Sequence, residues 1–199
     1  MYEWRKMSPS QRAETLRMRR QSGQPWHSPP HLDLEGDYIY FLTAACYEHK
    51  SIVNAATDRM KKCESAVLEI VTMNCTDTYA WCIIPNHYHF MARTEKIRDL
   101  RHELGLFHGR SSRKWNLEDG TTGRKVWFNC FERMIRSERH FYATLNYIHH
   151  NPVKHGLVNH WQDWPFSSAR EFLEKVGREK AEEIWRQYPV LGYGEKWDI

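Results

Sequence analysis

Pro85-Asn86-His87-Tyr88-His89-Phe90-Met91 is the stretch on which the fold turns. Proline followed by asparagine is turn chemistry. Before it, residues from about Thr78 to Ile84 have the aromatic and β-branched content of a strand, and the residues from His87 to about Arg93 continue as a second. The two strands therefore form a hairpin. Side chains alternate between the faces of a strand, so His87 and His89 point one way and Tyr88 the other.

Working outward, YIYFLTAACY from Tyr38 reads as a strand, and Ala56, Met60, Cys63, Val67, Ile70 and Val71 fall at helical spacing over 56–74. On the other side, Lys96 to about Trp115 is helical, with Leu100, Leu104 and Phe107 on one side; the Gly and Thr cluster at 120–123 ends it. VWFNCFERMI from Val126 is strand-like. A helix from about Ser137 to His150 is expected to stop near Pro152, because the residue before a proline is biased away from helical geometry. Strand, helix, strand, strand, helix, strand, helix is the order of a ferredoxin-like split βαβ fold, an α+β class with an antiparallel sheet and helices on one face.

Flanking segments extend this core. Ser8, Pro9 and Gln11 cap a basic helix over 9–21, and GQPWHSPPH after it reads as an extended strap. After a turn at Asp163, Trp164, Pro165 and Phe166, Ser168 and Glu171 form a capping box for a helix to about Gln187. The expected organisation is a basic arm at 1–37, a catalytic domain at 38–160 and a helical extension at 161–199.

A chain of 199 residues can bury one substantial core. No apolar run approaches the roughly 20 residues needed to span a bilayer, and the polar start does not read as a signal peptide, so a cytoplasmic protein is expected. Five cysteines without close pairing read as reduced thiols. The net charge of +4 is unevenly spread. Residues 1–31 carry six bases against two acids, and Arg98 to Arg139 ten against six, which suits a polyanionic partner. Arg19 and Arg20 in the arm, and Arg110, Arg113, Lys114, Arg124 and Lys125 around the 116–123 loop, are candidate phosphate contacts. Trp26, Trp115 and Trp127 could stack on bases, but core packing explains a tryptophan more economically.

The chemistry concentrates in two places. Two imidazoles on one strand face can hold a metal ion, and their position among apolar neighbours needs an explanation beyond chance. In NYIHHNPVKHG, Tyr147 and Asn151 lie four apart and share a helical face. His150 borders that face as an auxiliary ligand, a phosphate contact or a surface group. Tyr142 is the competing phenol, but it lies about 140° around the helix from Tyr147, and the pairing with Asn151 favours Tyr147. A free tyrosine has a pKa of about 10, so an attacking phenol needs an activated target or a nearby positive charge. A tyrosine ester conserves phosphodiester energy for rejoining, which makes strand transfer its natural use.

With HYH at 87–89 and Tyr147 and Asn151 in YIHHNPVKHGLV, the chain resembles the HUH single-tyrosine transposases, most of all their REP-associated tyrosine transposase branch. The resemblance covers roughly Tyr38 to Arg170 and extends to EWRKMSP near the start and DWPFSSAR near 165. It implies a metal-dependent endonuclease and strand transferase acting on single-stranded DNA with hairpins, through a tyrosine linked to a 5′-phosphate. It implies His87, His89 and Asn151 as metal ligands and Tyr147 as nucleophile, with Tyr88 in the middle of the H-U-H; relatives outside the branch carry glutamine at the place of Asn151. Ligand softness alone favours zinc, nickel or manganese for two imidazoles. The resemblance implies Mg²⁺ or Mn²⁺. Competing readings are a hairpin-binding module without catalysis and a small zinc hydrolase; monomer or homodimer stays open.

Overall fold

A computed structural model describes residues 7–21, 36–56 and 58–193, without the side chains of Leu16, Arg19, Arg20 and Asn129. The strap, Trp26 and the side chains of Arg19 and Arg20 lie outside the described residues. The chain divides into two units, the N-terminal segment and the body. In the first, helix α1 (Pro9–Gln21) is capped reciprocally: Ser8 Oγ accepts from the Gln11 amide at 3.3 Å, and Gln11 Oε1 accepts from the Ser8 amide at 2.8 Å.

The body runs β1 (Tyr38–Cys46), α2 (Arg59–Asn74), β2 (Asp77–Ile84), β3 (His87–Thr94), α3 (Ile97–Glu118), β4 (Trp127–Met134), α4 (Glu138–Lys154), α5 (Ala169–Val176) and α6 (Arg178–Gln187). The strands pair antiparallel in the order β2-β3-β1-β4, the split βαβ arrangement. Alternation sorts their side chains. Tyr40, Leu42, Ala44, Ile83, Tyr88 and Phe90 face the crossover helices α2 and α3, whose Cys63, Val67, Leu100, Leu104 and Trp115 complete one core. Phe41, Ala80, Cys82, Ile84 and Met91 face the opposite way and pack on Leu145, Tyr147 and Ile148 of α4. The added helices thus cover the face that the ferredoxin-like unit leaves open. Each fully buried large apolar side chain in these layers is worth ~1.5–3 kcal/mol.

Two local features close the structure. Arg59, the first residue of α2, is buried and donates to both carboxylate oxygens of Asp119 at 2.7 and 3.1 Å, to Glu118 at 2.9 Å and to the Ile52 carbonyl at 3.1 Å, tying α2 to the end of α3. The outer edge of β2 is occupied by the segment before α5: Ile83 N donates to Phe166 O at 2.9 Å, Ser168 N to Trp81 O at 3.1 Å and Trp164 Nε1 to Ile83 O at 2.8 Å. An edge strand is thereby kept from pairing with other chains.

The structure corrects three readings. Helix α4 does not stop before Pro152 but runs to Lys154. Pro152 sits in the last turn, where its missing N–H costs a single ladder bond, and Gly156 at φ 66° terminates the helix, with Gly156 N bonded to Val153 O and Leu157 N to Pro152 O, both at 2.9 Å. The helix expected to reach Gln187 in one piece is two, broken at Gly177 with φ 81°. Ser168 makes no capping box; its Oγ turns to the sheet edge, where it accepts from Trp81 N at 2.9 Å. All five cysteines are free, and burial pushes the Cys46, Cys75 and Cys130 thiols up to about 12, consistent with inert reduced groups. No helix among the described residues is long and apolar enough to cross a membrane.

Candidate active site

The hairpin strand β3 and the helix α4 meet on the second face of the sheet. His87 opens β3 opposite Ala45 and Ile84, and His89 lies opposite Thr43 and Cys82, so both imidazoles project toward α4. On α4, Tyr147, Asn151 and Lys154 fall at i, i+4 and i+7, one stripe of the helix. His87, His89, Tyr147 and Asn151 are all buried. The rings of His87 and His89 are 4.6 Å apart by centroid, and His89 and Tyr147 5.2 Å. His87 Nε2 and Asn151 Oδ1 are 3.0 Å apart. The structure therefore brings together the His pair, the phenol and the amide named from the sequence.

These donors fit a divalent ion. Neighbouring ligands about 2.1 Å from an octahedral ion are about 3 Å apart, which is the separation of Nε2 and Oδ1 here. Asn151 Nδ2 is buried without a hydrogen-bond partner among the described residues. No group of three His, Cys, Asp or Glu is found among the described residues; two imidazoles and an amide oxygen make up the donor set.

Three neighbours, Lys154, His155 and Tyr193, went unread in the sequence. Lys154 Nζ stands 5.2 Å from the centre of the Tyr147 ring, and the His155 ring 5.0 Å from that of His87. For Lys154 the signal was the i+7 spacing from Tyr147, hidden by ending the helix at Pro152. Asn86, read only as a turn residue, places Oδ1 2.9 Å from His87 Nδ1. Tyr193 packs on Tyr147 with ring centroids 5.6 Å apart, its hydroxyl 2.6 Å from Thr144 Oγ1.

Other candidates lie elsewhere. Tyr142 stacks on Tyr188, 4.9 Å away. His150 sits on the outer side of α4 beside Trp185, and burial and the charge of Lys154 push its pKa down, which weakens it as a phosphate partner at neutral pH. It lines a cavity of about 410 Å³ with Trp161, Trp185, Arg178 and Arg186, on the opposite side of α4 from Tyr147. Ligand-type donors converge instead at the His pair. Arg110, Arg113 and Lys114 are exposed on α3, across the sheet from the His pair. Arg124 is committed to Asp119 at 2.7 Å and Asn116 at 2.9 Å. Lys125 lies over the rings of Tyr47 and Phe128, at the end of the sheet where His87 stands. Trp115 and Trp127 are buried in the first core.

No family model matches the chain. It is 29% identical over 169 residues to a putative REP-associated tyrosine transposase of Haemophilus influenzae, covering 77% of this chain and 90% of that one. It is 26% identical over 125 residues to the REP-associated tyrosine transposase of Escherichia coli, covering 56% and 66%. Its fold matches a solved REP-associated tyrosine transposase bound to a REP hairpin with a TM-score of 0.55 at 19% identity, over 75% of this chain and 86% of that one. By sequence and by fold, the chain is a relative of the REP-associated tyrosine transposases.

Proposed function

We propose that the protein is a transposase-type single-stranded DNA endonuclease and strand transferase that cleaves at or near hairpin DNA through a 5′-phosphotyrosine intermediate. The observation that carries this reading is the convergence of Tyr147 with His87, His89 and Asn151 on one face of the sheet, with ring centroids 5.2 Å apart for His89 and Tyr147. A relative's hairpin-bound structure of the same fold supports the substrate class.

In this reading His87, His89 and Asn151 would hold Mg²⁺ or Mn²⁺. When bound, such an ion polarises a phosphoryl oxygen and orients the phosphate for in-line displacement. The Tyr147 hydroxyl gives up its proton as its oxygen bonds to phosphorus; the bond from phosphorus to the 3′ oxygen breaks, and that oxygen takes up a proton as a free 3′-hydroxyl. Lys154 supplies positive charge beside the phosphate that reaches Tyr147. Phe41 and Tyr193 flank the phenol and limit its rotamers. Lys125 and the basic arm contribute contacts to the DNA backbone.

The test is adduct formation on a single-stranded hairpin oligonucleotide with Mn²⁺, read as a covalent protein and DNA species on a denaturing gel. The wild-type chain forms it and Tyr147→Phe does not, while both bind the hairpin. Hairpin binding without an adduct from the wild type would instead identify a non-catalytic hairpin-binding module.

A further inference from the structure

We infer that Asn86 is a positioning residue that sets the tautomer of His87 and so frees its Nε2 for metal; this rests on the metal reading above. His87 lies between two amide oxygens, Asn86 Oδ1 at 2.9 Å from Nδ1 and Asn151 Oδ1 at 3.0 Å from Nε2. A neutral imidazole has one N–H, so only one of the two oxygens can accept a proton from it. Whichever wins decides what the other nitrogen can do. If Nε2–H donates to Asn151, two metal donors are consumed in a bond to each other. If Nδ1–H donates to Asn86, the Nε2 lone pair and the Asn151 oxygen are both left for a cation.

The surroundings decide for Asn86. Its Nδ2 donates to the His49 carbonyl at 3.1 Å, so turning the amide over would set its oxygen against another oxygen. Asn151 has no such tie, since its Nδ2 has no hydrogen-bond partner among the described residues. The His49 carbonyl is itself held in place. Glu48 and His49 have consecutive positive φ values of 57° and 50°, unfavourable for residues with side chains. The flanking chain is pinned by Tyr47 N to Val126 O and Cys46 N to Asn86 O, both at 2.7 Å. The strained turn after β1 thus aims a carbonyl at Asn86, and Asn86 aims an oxygen at His87. Metal-ligating histidines take their tautomer from a partner of this kind.

The experiment measures ¹⁵N shifts of the His87 ring in the metal-free full chain and, separately, Mn²⁺ affinity by electron paramagnetic resonance titration, for wild type, Asn86→Ala and Asn86→Asp. The wild type should carry the proton on Nδ1. Asn86→Ala should move it to Nε2 and weaken Mn²⁺ by ~10–100-fold. Asn86→Asp keeps an acceptor oxygen for Nδ1 but loses the bond to the His49 carbonyl, so it should retain the Nδ1 proton and bind Mn²⁺ more tightly than Asn86→Ala. An Nδ1 proton that persists in Asn86→Ala overturns the inference, as does an aspartate variant as impaired as the alanine one. Should the wild type bind no Mn²⁺, the metal reading falls, and the ring shifts alone decide the role of Asn86.

Discussion

The two faces of the sheet bury polar groups on different terms. On the first face, the charge of Arg59 is matched by Asp119, Glu118 and the Ile52 carbonyl, within 3.1 Å in every case. On the second, His87 Nε2 and Asn151 Oδ1 face each other at 3.0 Å, two atoms that would both rather accept than donate once Nδ1 holds the ring proton. A buried charge held by opposite charges and a carbonyl is structural, even though Arg59 Nε itself has no hydrogen-bond partner among the described residues. In the proposed reading, the convergence on the second face would serve a cation that is not part of the chain. Burial of polar residues does not by itself mark a site; what the polar groups are paired with has to be read as well.

The largest effect should come from the second face. Tyr147→Phe removes one oxygen and is expected to lower cleavage on the order of 10³-fold or more. Melting temperature and hairpin affinity should change little, and a variant that still forms the adduct would break the assignment. His87→Ala should next weaken Mn²⁺ by on the order of 100-fold. Retained Mn²⁺ affinity measured by the same titration would turn the second face into an ordinary polar core.

The first face should respond in stability and leave chemistry alone. Arg59→Ala leaves the Ile52 carbonyl without the guanidinium and α2 untied from the end of α3, while Asp119 keeps Arg124 at 2.7 Å, and is expected to cost ~1–3 kcal/mol, read by urea unfolding. Adduct formation at low temperature should persist. Loss of both together would show that the faces are coupled.

Acid should act on both faces, since burial also lowers His149 on α4, to about 3. Burial lowers His108 to about 4, its Nε2 being 2.9 Å from the Tyr88 hydroxyl. Between pH about 6.5 and about 4 the unfolded chain binds a proton there that the folded chain refuses, so stability falls as pH drops through that window. Asp119, held down to about 2 chiefly by the hydrogen bond from Arg59, continues the loss from near 3.8 to about 2. Unfolding measured against pH should show this decline flattened in His108→Gln. The smallest effect is expected from Lys125→Ala, which should lower the slope of log affinity against log salt for the hairpin by about one.

Much of the site was legible as pattern. His87 and His89 alternate with Tyr88 and Phe90, and that period of two assigns imidazoles and aromatics to opposite faces before any coordinates are seen. Tyr147 and Asn151 announce a shared helical face by their spacing. Lys154 escaped, because Pro152 was given the power to end a helix that Gly156 ends. Asn86 escaped because its turn chemistry was a sufficient explanation, and nothing local says that its oxygen meets an imidazole.

What the sequence determined by itself was the period of each element and hence which side chains travel together, since φ/ψ preferences and hydrophobic spacing are local. The tertiary structure alone decided which groups meet across elements. It set α4 against the hairpin rather than beside α2 and α3, closed Arg59 on Asp119, and put two amide oxygens on one imidazole. Those outcomes depend on packing between residues as far apart as His87 and Asn151, where side-chain volume and hydrogen-bond competition act and sequence spacing carries no record of them.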